Sequence, residues 1–458
     1  MGFAAVATTG IYCRPSCGAS PNPSNVHLFP LAASAEAAGY RACLRCRPYR
    51  TEPDRNWTGS QLVCRAVRLI LDGALDDASE RDLAARLFIS GRHLRRIFQE
   101  QLGVTPDYLA RSARAHFARR LLDDTDLTIA GVAFAAGFGS TRQFLRACRE
   151  IFRASPTQLR AKRRVADRLV ADGGLSLRLP VDRPPDWPAM LQGLQARAIE
   201  GVEVIAGDTY RRTIVVGGDP GVLELRPGGP DHVVMQAHLP HWEGLIHVAR
   251  RARHIVNLDA DVAGANRHLE ADSILGPLVR ARPDIRPPGT WDPYETGVQA
   301  IVDDQVGETA GHRVLTRLVE QFGSPVTGLH LIGLTHLFPS ASVLATADLR
   351  GLGLPRDGAE RVKGFAASVA GGAIRFDRAK GLDHLVRSLT TIAGLDDETA
   401  SHLALRLGEP DAFPAADLGL RRAMSDHPDR PLATQELERV AEPWRPWRAH
   451  AAAQLMVG

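Results

Sequence analysis

The sequence has few cysteines, no long apolar run and no low-complexity tract, and each absence narrows the kind of protein it encodes. Six cysteines in 458 residues are too few for the disulfide framework of a small secreted domain. The chain has no run of about 18 apolar residues, and its start lacks the charged and apolar segments of a signal peptide. We therefore expect a cytoplasmic protein with no membrane partner.

Length and charge indicate several domains and a polyanionic partner. A chain of 458 residues exceeds what one hydrophobic core usually supports, so three or more domains are expected. Residues 1–172 hold 26 Lys+Arg against 16 Asp+Glu, a balance of +10, and the remaining residues hold 30 against 36, a balance of −6. The basic front half points to nucleic acid, whereas the acidic back half has to be interpreted from its motifs.

The hydrophobic pattern changes along the chain. A polar stretch, Thr51–Asn56, follows the cysteine region, and helical periodicity dominates from Ser60 to about Val170. The segment Leu175–Pro180 alternates apolar and polar residues, as a half-buried strand does. Helical patterns with proline-rich joints return after Leu239. Between them, Gly/Pro turns separate strand-like runs that predict a small antiparallel sheet: Thr213–Val216, Val222–Arg226 and His232–Ala237.

Four of the six cysteines form two close pairs, Cys13 with Cys17 and Cys43 with Cys46. Three residues separate the first pair and two separate the second, spacings that let both sulfurs of a pair face one point. Four thiolates satisfy tetrahedral Zn²⁺, and the spacing alone fits a purely structural zinc site as well as a reactive one. The remaining cysteines lie on helical patterns with apolar neighbours and are expected to be ordinary buried thiols: Cys64 and Cys148.

The stretch around these pairs resembles the Ada-type DNA methyl-phosphotriester repair domain, in T-T-G-I-Y-C-R-P-S-C, N-V-H-L-F-P and A-G-Y-R-A-C-L-R-C-R-P. The resemblance implies that Cys13 is the methyl acceptor and that all four cysteines bind zinc, which keeps a thiol in its nucleophilic form. Methylation removes negative charge beside DNA and so can act as a switch. Arginines near the cysteines are expected to meet phosphates: Arg14, Arg41, Arg45 and Arg47. The lead-in is shorter than in that family, and C-G-A-S-P-N-P lacks the arginines common there.

Two helix-turn-helix patterns follow, with turns at Ser90–Gly91 and at Gly137. A helix that starts with small polar residues and carries Arg or Gln on its first turns suits a major groove. The expected groove-facing residues are Arg92, His93, Arg95 and Arg96 in the first unit, and Thr141, Arg142, Gln143 and Arg146 in the second. The segment resembles the AraC/XylS-type activator domain, most specifically in A-A-G-F-G-S-T-R-Q-F and S-P-T-Q-L-R.

From about Leu175 onward the chain resembles AlkA-type 3-methyladenine DNA glycosylase II, of the helix-hairpin-helix superfamily. The matching pieces include L-S-L-R-L-P, W-D-P-Y-E, L-T-H-L-F-P-S, G-E-P-D-A-F-P-A-A-D-L-G-L-R-R and W-R-P-W-R. The resemblance implies that Asp417 assists loss of a damaged base that has been flipped out of the duplex. One carboxylate suffices, because alkylated purines are already cationic and leave through a cation-like transition state.

Several departures from that family fall where function lies. The hairpin L-P-G-[IV]-G-x-[WY]-T is I-A-G-L-D-D-E-T here: Gly394 remains, while Asp396 replaces the second glycine and Glu398 the aromatic. Carboxylates beside a phosphate repel it. The L-[GA]-Q-Q segment keeps only Gln305 of its glutamines, with Asp304 substituted before it. Further replacements lie at positions where the family has pocket aromatics: His402, His450 and Met456. Trp444 and Trp447 remain, on a helical pattern that more often packs a core.

We therefore predict a multidomain α+β protein that is mostly helical. Its domains are an N-terminally short, four-cysteine zinc domain that accepts methyl groups (1–52), a double helix-turn-helix domain (60–166), a small antiparallel-sheet α+β domain (174–284) and an all-α helix-hairpin-helix glycosylase domain (285–458). The expected function couples methyl transfer to transcriptional activation and adds hydrolytic excision of 3-methyladenine-type purines. The alternatives are a regulator with a degenerate, inactive glycosylase-like domain and a zinc-stabilised activator without methyl transfer. Expected partners are promoter DNA, alkylated DNA and RNA polymerase, with the chain a monomer.

Overall fold

The described residues of the computed structural model are 2–50, 59–163, 169, 174–374, 376, 381–425 and 430–457. The predicted polar stretch Thr51–Asn56 lies outside the described residues. Within them, no helix is both long and apolar enough to cross a membrane.

The cysteine region contains four strands and a short α-helix: β1 (Phe3–Val6), β2 (Ile11–Cys13), β3 (Val26–Phe29), α1 (Ala32–Ala37) and β4 (Arg41–Ala42). The next part is helical: α2 (Gln61–Leu71), α3 (Glu80–Arg86), α4 (Gly91–Leu102), α5 (Pro106–Asp124), α6 (Ile129–Ala135), α7 (Thr141–Phe152) and α8 (Pro156–Ala161).

A mixed part follows: β5 (Leu175–Pro180), α9 (Trp187–Gln195), β6 (Glu203–Ala206), β7 (Thr209–Val216), β8 (Asp219–Gly229) and β9 (His232–His238). The last part is helical: α10 (Leu245–Ile255), α11 (Val262–Leu269), α12 (Leu275–Ala281), α13 (Pro293–Val306), α14 (Glu308–Phe322), α15 (Ala341–Thr346), α16 (Arg356–Ala370), α17 (Leu382–Ala393), α18 (Asp397–Arg406), α19 (Leu418–Ala423), α20 (Thr434–Ala441) and α21 (Arg448–Val457). This order confirms the predicted class, a mostly helical α+β protein.

The chain divides into two compact units, which are described separately. The first unit comprises Met1–Asp182, Asp231–Gln236 and His241–Arg250. The second unit comprises Arg183–Pro230, Ala237–Pro240 and Arg251–Gly458.

In the first unit, the cysteine region forms a four-stranded sheet of order β3-β1-β2-β4. β1 pairs antiparallel with β2 and β3, whereas β2 and β4 run parallel, with Tyr12 opposite Ala42. The small core of this region is apolar and aromatic: Phe3, Ala5, Tyr12, Ala35, Ala42 and Tyr49. A core this small stabilises a domain only weakly. Contacts between the cysteine region and the rest of the unit therefore matter for its stability.

A buried carboxylate, Glu36 on α1, provides such contacts. It accepts hydrogen bonds from the hydroxyls of Tyr12 and Ser112, both at 2.7 Å, and lies 2.6 Å from Nε2 of His116. Burial opposes ionisation, but these partners outweigh it, so the pKa of Glu36 lies below its ordinary value. Because Tyr12 belongs to β2 and the other two residues to α5, Glu36 joins the cysteine region to the helical part of the unit.

The two predicted helix-turn-helix units are confirmed as α3–α4 and α6–α7. Ser90 and Ser140 are the N-caps of α4 and α7. Each side chain accepts a hydrogen bond from the backbone amide three residues later. Gly137 makes the turn between α6 and α7 with a positive φ of 76°, which glycine adopts without strain. Buried apolar residues fix the inner face of each second helix: Leu94, Ile97, Phe98 and Leu102 in α4, and Phe144, Ala147, Cys148, Ile151 and Phe152 in α7.

The second unit contains part of the predicted small sheet and a large helical core. β6, β7 and β8 form antiparallel pairs, with Tyr210 opposite both Ile205 and Leu225. The core draws side chains from α13 to α21, including Val298, Leu318, Phe365, Leu403 and Trp444. α17 and α18 meet at a tight turn within this core, and α19 follows α18. These elements position the predicted glycosylase residues.

Candidate functional site

The four paired cysteines converge on one point in the first unit. Cys13 ends β2 and Cys43 follows β4, and the Cys43 amide donates to the carbonyl oxygen of Tyr12 at 3.0 Å. The Sγ atoms of Cys13, Cys17, Cys43 and Cys46 all lie within 4.8 Å of one another. Cys13 is buried and the other three are partly exposed. This grouping is the arrangement expected of a metal site.

The electrostatics of the cluster fit a bound cation. Burial, together with hydrogen bonding and charge from Cys43, raises the pKa of Cys13 well above its ordinary value. Burial also raises the pKa of Cys46 to about 11. Burial acts in the same direction on Cys43, but backbone hydrogen bonds outweigh it and lower that pKa. Four sulfurs this close repel one another as thiolates, and a divalent cation removes that repulsion.

The arginines predicted to meet phosphates differ in exposure. Arg45 is exposed and donates to the carbonyl oxygen of Gly18 at 3.3 Å, while Arg14 and Arg41 are partly exposed. Arg47 is buried, with its guanidinium 3.9 Å from Asp123. A buried guanidinium beside a carboxylate does not meet a phosphate, so the expectation for Arg47 is corrected. A pattern of arginines near cysteines does not reveal which of them is buried.

The predicted groove-facing residues lie on the outer sides of α4 and α7. Most are exposed and the remainder partly exposed: Arg92, His93, Arg95, Arg96, Thr141, Arg142, Gln143 and Arg146. Arg95 forms an ion pair with Glu80, and Arg96 lies 3.3 Å from Glu100. In α7, Arg142 and Gln143 follow the helix start directly, where side chains reach base edges in this class of unit.

Asp417 begins α19 in the second unit. Its Oδ1 accepts a hydrogen bond from the Leu420 amide at 2.7 Å, and its Oδ2 lies 3.2 Å from Nε2 of His402. Burial raises the pKa of Asp417, but these hydrogen bonds outweigh it and leave the pKa below its ordinary value. The carboxylate is therefore ionised at neutral pH. A carboxylate of this kind can stabilise developing positive charge.

The acidic hairpin is less strained and less repulsive than its sequence indicates. Gly394 ends α17 with a φ of 65°, whereas Asp396 has an extended backbone and begins α18 by accepting from the Thr399 amide at 2.7 Å. The position of Asp396 therefore needs no glycine. Arg361 on α16 lies 3.3 Å from Asp304 and 3.7 Å from Asp396. It offsets part of the carboxylate charge, and sequence reasoning missed it.

The other positions singled out from the sequence in this unit fall into two groups. Glu398 and His402 share one side of α18, 4.0 Å apart, and burial raises the pKa of Glu398, with Asp417 and Asp396 adding to the effect. Gln305 donates to the neighbouring Asp304 at 2.7 Å. The remaining positions serve mainly packing: Trp444 and His450 are buried, and Trp447 packs on the core.

A cavity of about 250 Å³ in the second unit includes Met456, Arg197 and Arg406 in its lining. Burial, together with the charge of Arg197, lowers the pKa of Arg406 to about 9. Burial also lowers the pKa of Arg197, although nearby carboxylates, among them Asp417, act in the opposite direction and raise it. Neither arginine was singled out from the sequence, because a lone Arg on a helical pattern gives no sign of burial.

Sequence profiles of three families match separate parts of the chain. They are described as the metal binding domain of Ada (residues 2–49), a helix-turn-helix domain (residues 83–162) and the AlkA N-terminal domain (residues 176–292).

Three known proteins extend the comparison. The chain is 38% identical over 456 residues to a probable bifunctional transcriptional activator/DNA repair enzyme AlkA from Mycobacterium tuberculosis, covering 98% of this chain and 91% of that protein. It is 29% identical to DNA-3-methyladenine glycosylase 2 of Escherichia coli, over 58% of this chain and 92% of that protein. A 3-methyladenine DNA glycosylase structure from Archaeoglobus fulgidus covers 61% of this chain and 97% of its own, with a TM-score of 0.53 and 20% identity. That structural match shows a shared fold.

Proposed function

Because the chain belongs to the family of bifunctional transcriptional activator/DNA repair enzymes AlkA, we propose that it senses methylated DNA and excises alkylated purines from it. The proposed excision of alkylated purines rests on Asp417, an ionised carboxylate held by two hydrogen bonds within the glycosylase-like unit. The observation that supports the sensing half is the cluster of four sulfurs.

Cys13 is the proposed methyl acceptor. Its sulfur attacks the methyl carbon of a neutral DNA phosphotriester, so that an S–CH₃ bond forms as the CH₃–O bond breaks. The electron pair of the broken bond stays on the phosphate oxygen, which becomes the anion of an ordinary diester, and the sulfur becomes a neutral thioether. Zn²⁺ held by the four cysteines supplies the positive charge that keeps the thiols deprotonated at neutral pH.

The proposed consequence of methylation is tighter binding to promoter DNA. A thioether carries one negative charge less than a thiolate, so repulsion from the phosphate backbone falls. The outer sides of α4 and α7 then read base edges, and Arg14, Arg41 and Arg45 contact phosphates. We further propose that the chain acts as a monomer, contacts RNA polymerase as an activator and works in the cytoplasm. The domain ranges 1–52, 60–166, 174–284 and 285–458 remain predictions.

Asp417 is the proposed catalytic residue of excision. The bond between C1′ of the sugar and the base nitrogen breaks, and its electron pair leaves with the base, which is neutralised if it was cationic. Positive charge develops on the sugar, and the Asp417 carboxylate stabilises it. Water then adds to C1′ and releases a proton to solvent. Gly394 and Gln305 are proposed DNA contacts, since Gly394 is exposed and Gln305 is partly exposed in this unit.

Release of free 3-methyladenine from methylated duplex DNA tests the excision half. Asp417→Asn keeps an acceptor for the Leu420 amide but removes the charge, so release is expected to stop while the fold persists. Asp348→Asn, at an exposed position, is the matched control and is expected to release base at the parental rate. If the parent releases no base, the regulator with an inactive glycosylase-like domain is the better account.

The mass of the Cys13 peptide tests the sensing half. After incubation with DNA carrying methyl phosphotriesters, the parent is expected to gain one methyl group on Cys13. Cys64→Ser is the control, since Cys64 lies outside the cluster on α2. If Cys13 stays unmodified in a zinc-loaded protein, methyl transfer is refuted and the zinc-stabilised activator without methyl transfer is the better account.

A further inference from the structure

His402 is placed beside the proposed catalytic carboxylate by the geometry of α18 and α19. Its Nε2 lies 3.2 Å from Oδ2 of Asp417 and 4.0 Å from Oε1 of Glu398, one helical turn earlier. His402 is about one-third exposed and the Asp417 side chain about one-quarter exposed. The contact therefore lies at the edge of the core, where a substrate can approach it.

The proton between these two groups belongs to the histidine. Asp417 is ionised at neutral pH and accepts hydrogen bonds only, so Nε2 must donate. The Leu420 amide donates to the other oxygen, Oδ1, at 2.7 Å. Oδ1 of Asp417 is thus held by a backbone amide, and Oδ2 is in contact with the imidazole. A carboxylate fixed in this way needs little reorganisation when positive charge develops next to it.

We propose that His402 is a positioning residue for base excision, which holds the Asp417 carboxylate in place through its Nε2 contact. The proposal rests on the proposed glycosylase function and deepens it, because it assigns a role to a residue that replaces a pocket aromatic.

Two substitutions separate the donor group of His402 from the shape of its ring. Gln places an amide donor near the position of Nε2, whereas Phe keeps the ring shape and removes the donor. Excision is measured with full-length protein in excess over a duplex containing 3-methyladenine or 7-methylguanine, so that the rate reports chemistry and not DNA binding. Affinity for an abasic-site duplex is measured in parallel. His330→Phe is the control, since His330 is exposed at the start of a short 3-10 helix of the same unit.

His402→Phe is expected to lower the excision rate roughly tenfold or more while affinity for the abasic duplex stays within about twofold. His402→Gln is expected to excise within about threefold of the parent, because its amide donor restores the contact with Asp417. Parental rates in His402→Phe, or rates in His402→Gln as low as those in His402→Phe, would overturn the proposal. Equal losses of excision and affinity in both variants would show a merely structural role.

A spectroscopic readout keeps the two proposals distinguishable. In NMR spectra of histidine side chains, Asp417→Asn is expected to shift the His402 resonances and to leave those of His330 in place. An inactive parent with this shift refutes the glycosylase proposal but leaves the His402–Asp417 contact standing. An active parent without the shift refutes the role of His402 and leaves the glycosylase proposal standing.

Discussion

Replacing Glu36 by alanine should loosen the first unit of the protein and not the second. The side chain of Glu36 is fully buried and has three partners, the hydroxyls of Tyr12 and Ser112 and the imidazole of His116. Removing it leaves three polar groups buried without their acceptor and opens a small cavity. Each such group costs about 1–3 kcal/mol, and loss of one partner from a buried charged cluster typically costs about 3–5 kcal/mol. We take about 3 kcal/mol as the expected loss.

Hydrogen–deuterium exchange of the full chain measures this loss locally. Since 1.4 kcal/mol corresponds to a tenfold change, a loss of about 3 kcal/mol should speed exchange of α5 amides by roughly 100-fold where exchange reports opening equilibria. Peptides from α13, in the second unit, serve as the internal control and should not change. Unaltered exchange in α5, or equal acceleration in both helices, would refute the reasoning.

The same carboxylate predicts a pH dependence. The pKa of Glu36 is lower in the folded protein than its ordinary value of 4.5, so the unfolded chain binds the proton more tightly. Its contribution to stability is therefore complete well above pH 4.5 and is lost as the pH falls below that value, through the folded-state pKa. Protection of α5 should fall in this window in the parent, and Glu36→Gln should lack that part of the decline.

Three further predictions concern DNA and metal. A promoter fragment is first selected from random duplexes with the unmodified protein. Arg142→Ala should weaken binding to this fragment by roughly 5- to 100-fold in fluorescence anisotropy. The control Arg226→Ala, at an exposed position of β8, should leave this binding unchanged. Asp396→Asn keeps the helix-starting acceptor but removes a charge, so affinity for an abasic-site duplex should rise roughly threefold at low salt and less at high salt; a fall in affinity would contradict the repulsion argument. The purified chain should contain zinc in about equimolar amount, and Cys46→Ser should lower the zinc content measured by atomic emission, whereas unchanged content would contradict the four-cysteine site.

The parts of the fold with strong local signals could be predicted from the sequence. Cysteine pairs at metal-ligand spacing predicted the sulfur cluster, and small polar residues before apolar-periodic segments predicted the starts of α4 and α7. Gly394 was predicted at the hairpin and indeed has a positive φ. These features depend on residues close together in the chain, where spacing and local backbone preference determine the outcome.

Features that join distant segments could not be predicted. Glu36 lies in an alanine-rich helix, 76 and 80 residues before its partners on α5, and no periodic pattern marks it. Arg361 reaches Asp304 and Asp396 from a different helix, and His402 meets Asp417 only after α18 and α19 are placed. Arg47 gave a false expectation because a basic residue near the cysteines looks the same whether it faces solvent or Asp123. Asp396 did carry a usable signal, since an aspartate directly before a helix is a common cap.

The most direct test measures both proposed activities in one reaction. The full chain is incubated with methylated duplex DNA, and mass spectrometry then quantifies free 3-methyladenine and methylated Cys13 in the same sample. The parent should give both products, Cys13→Ser should give only the free base, and Asp417→Asn should give only the methylated cysteine. A parent that yields neither product, or a variant that loses both together, would contradict the account of two separate reactions carried by one chain.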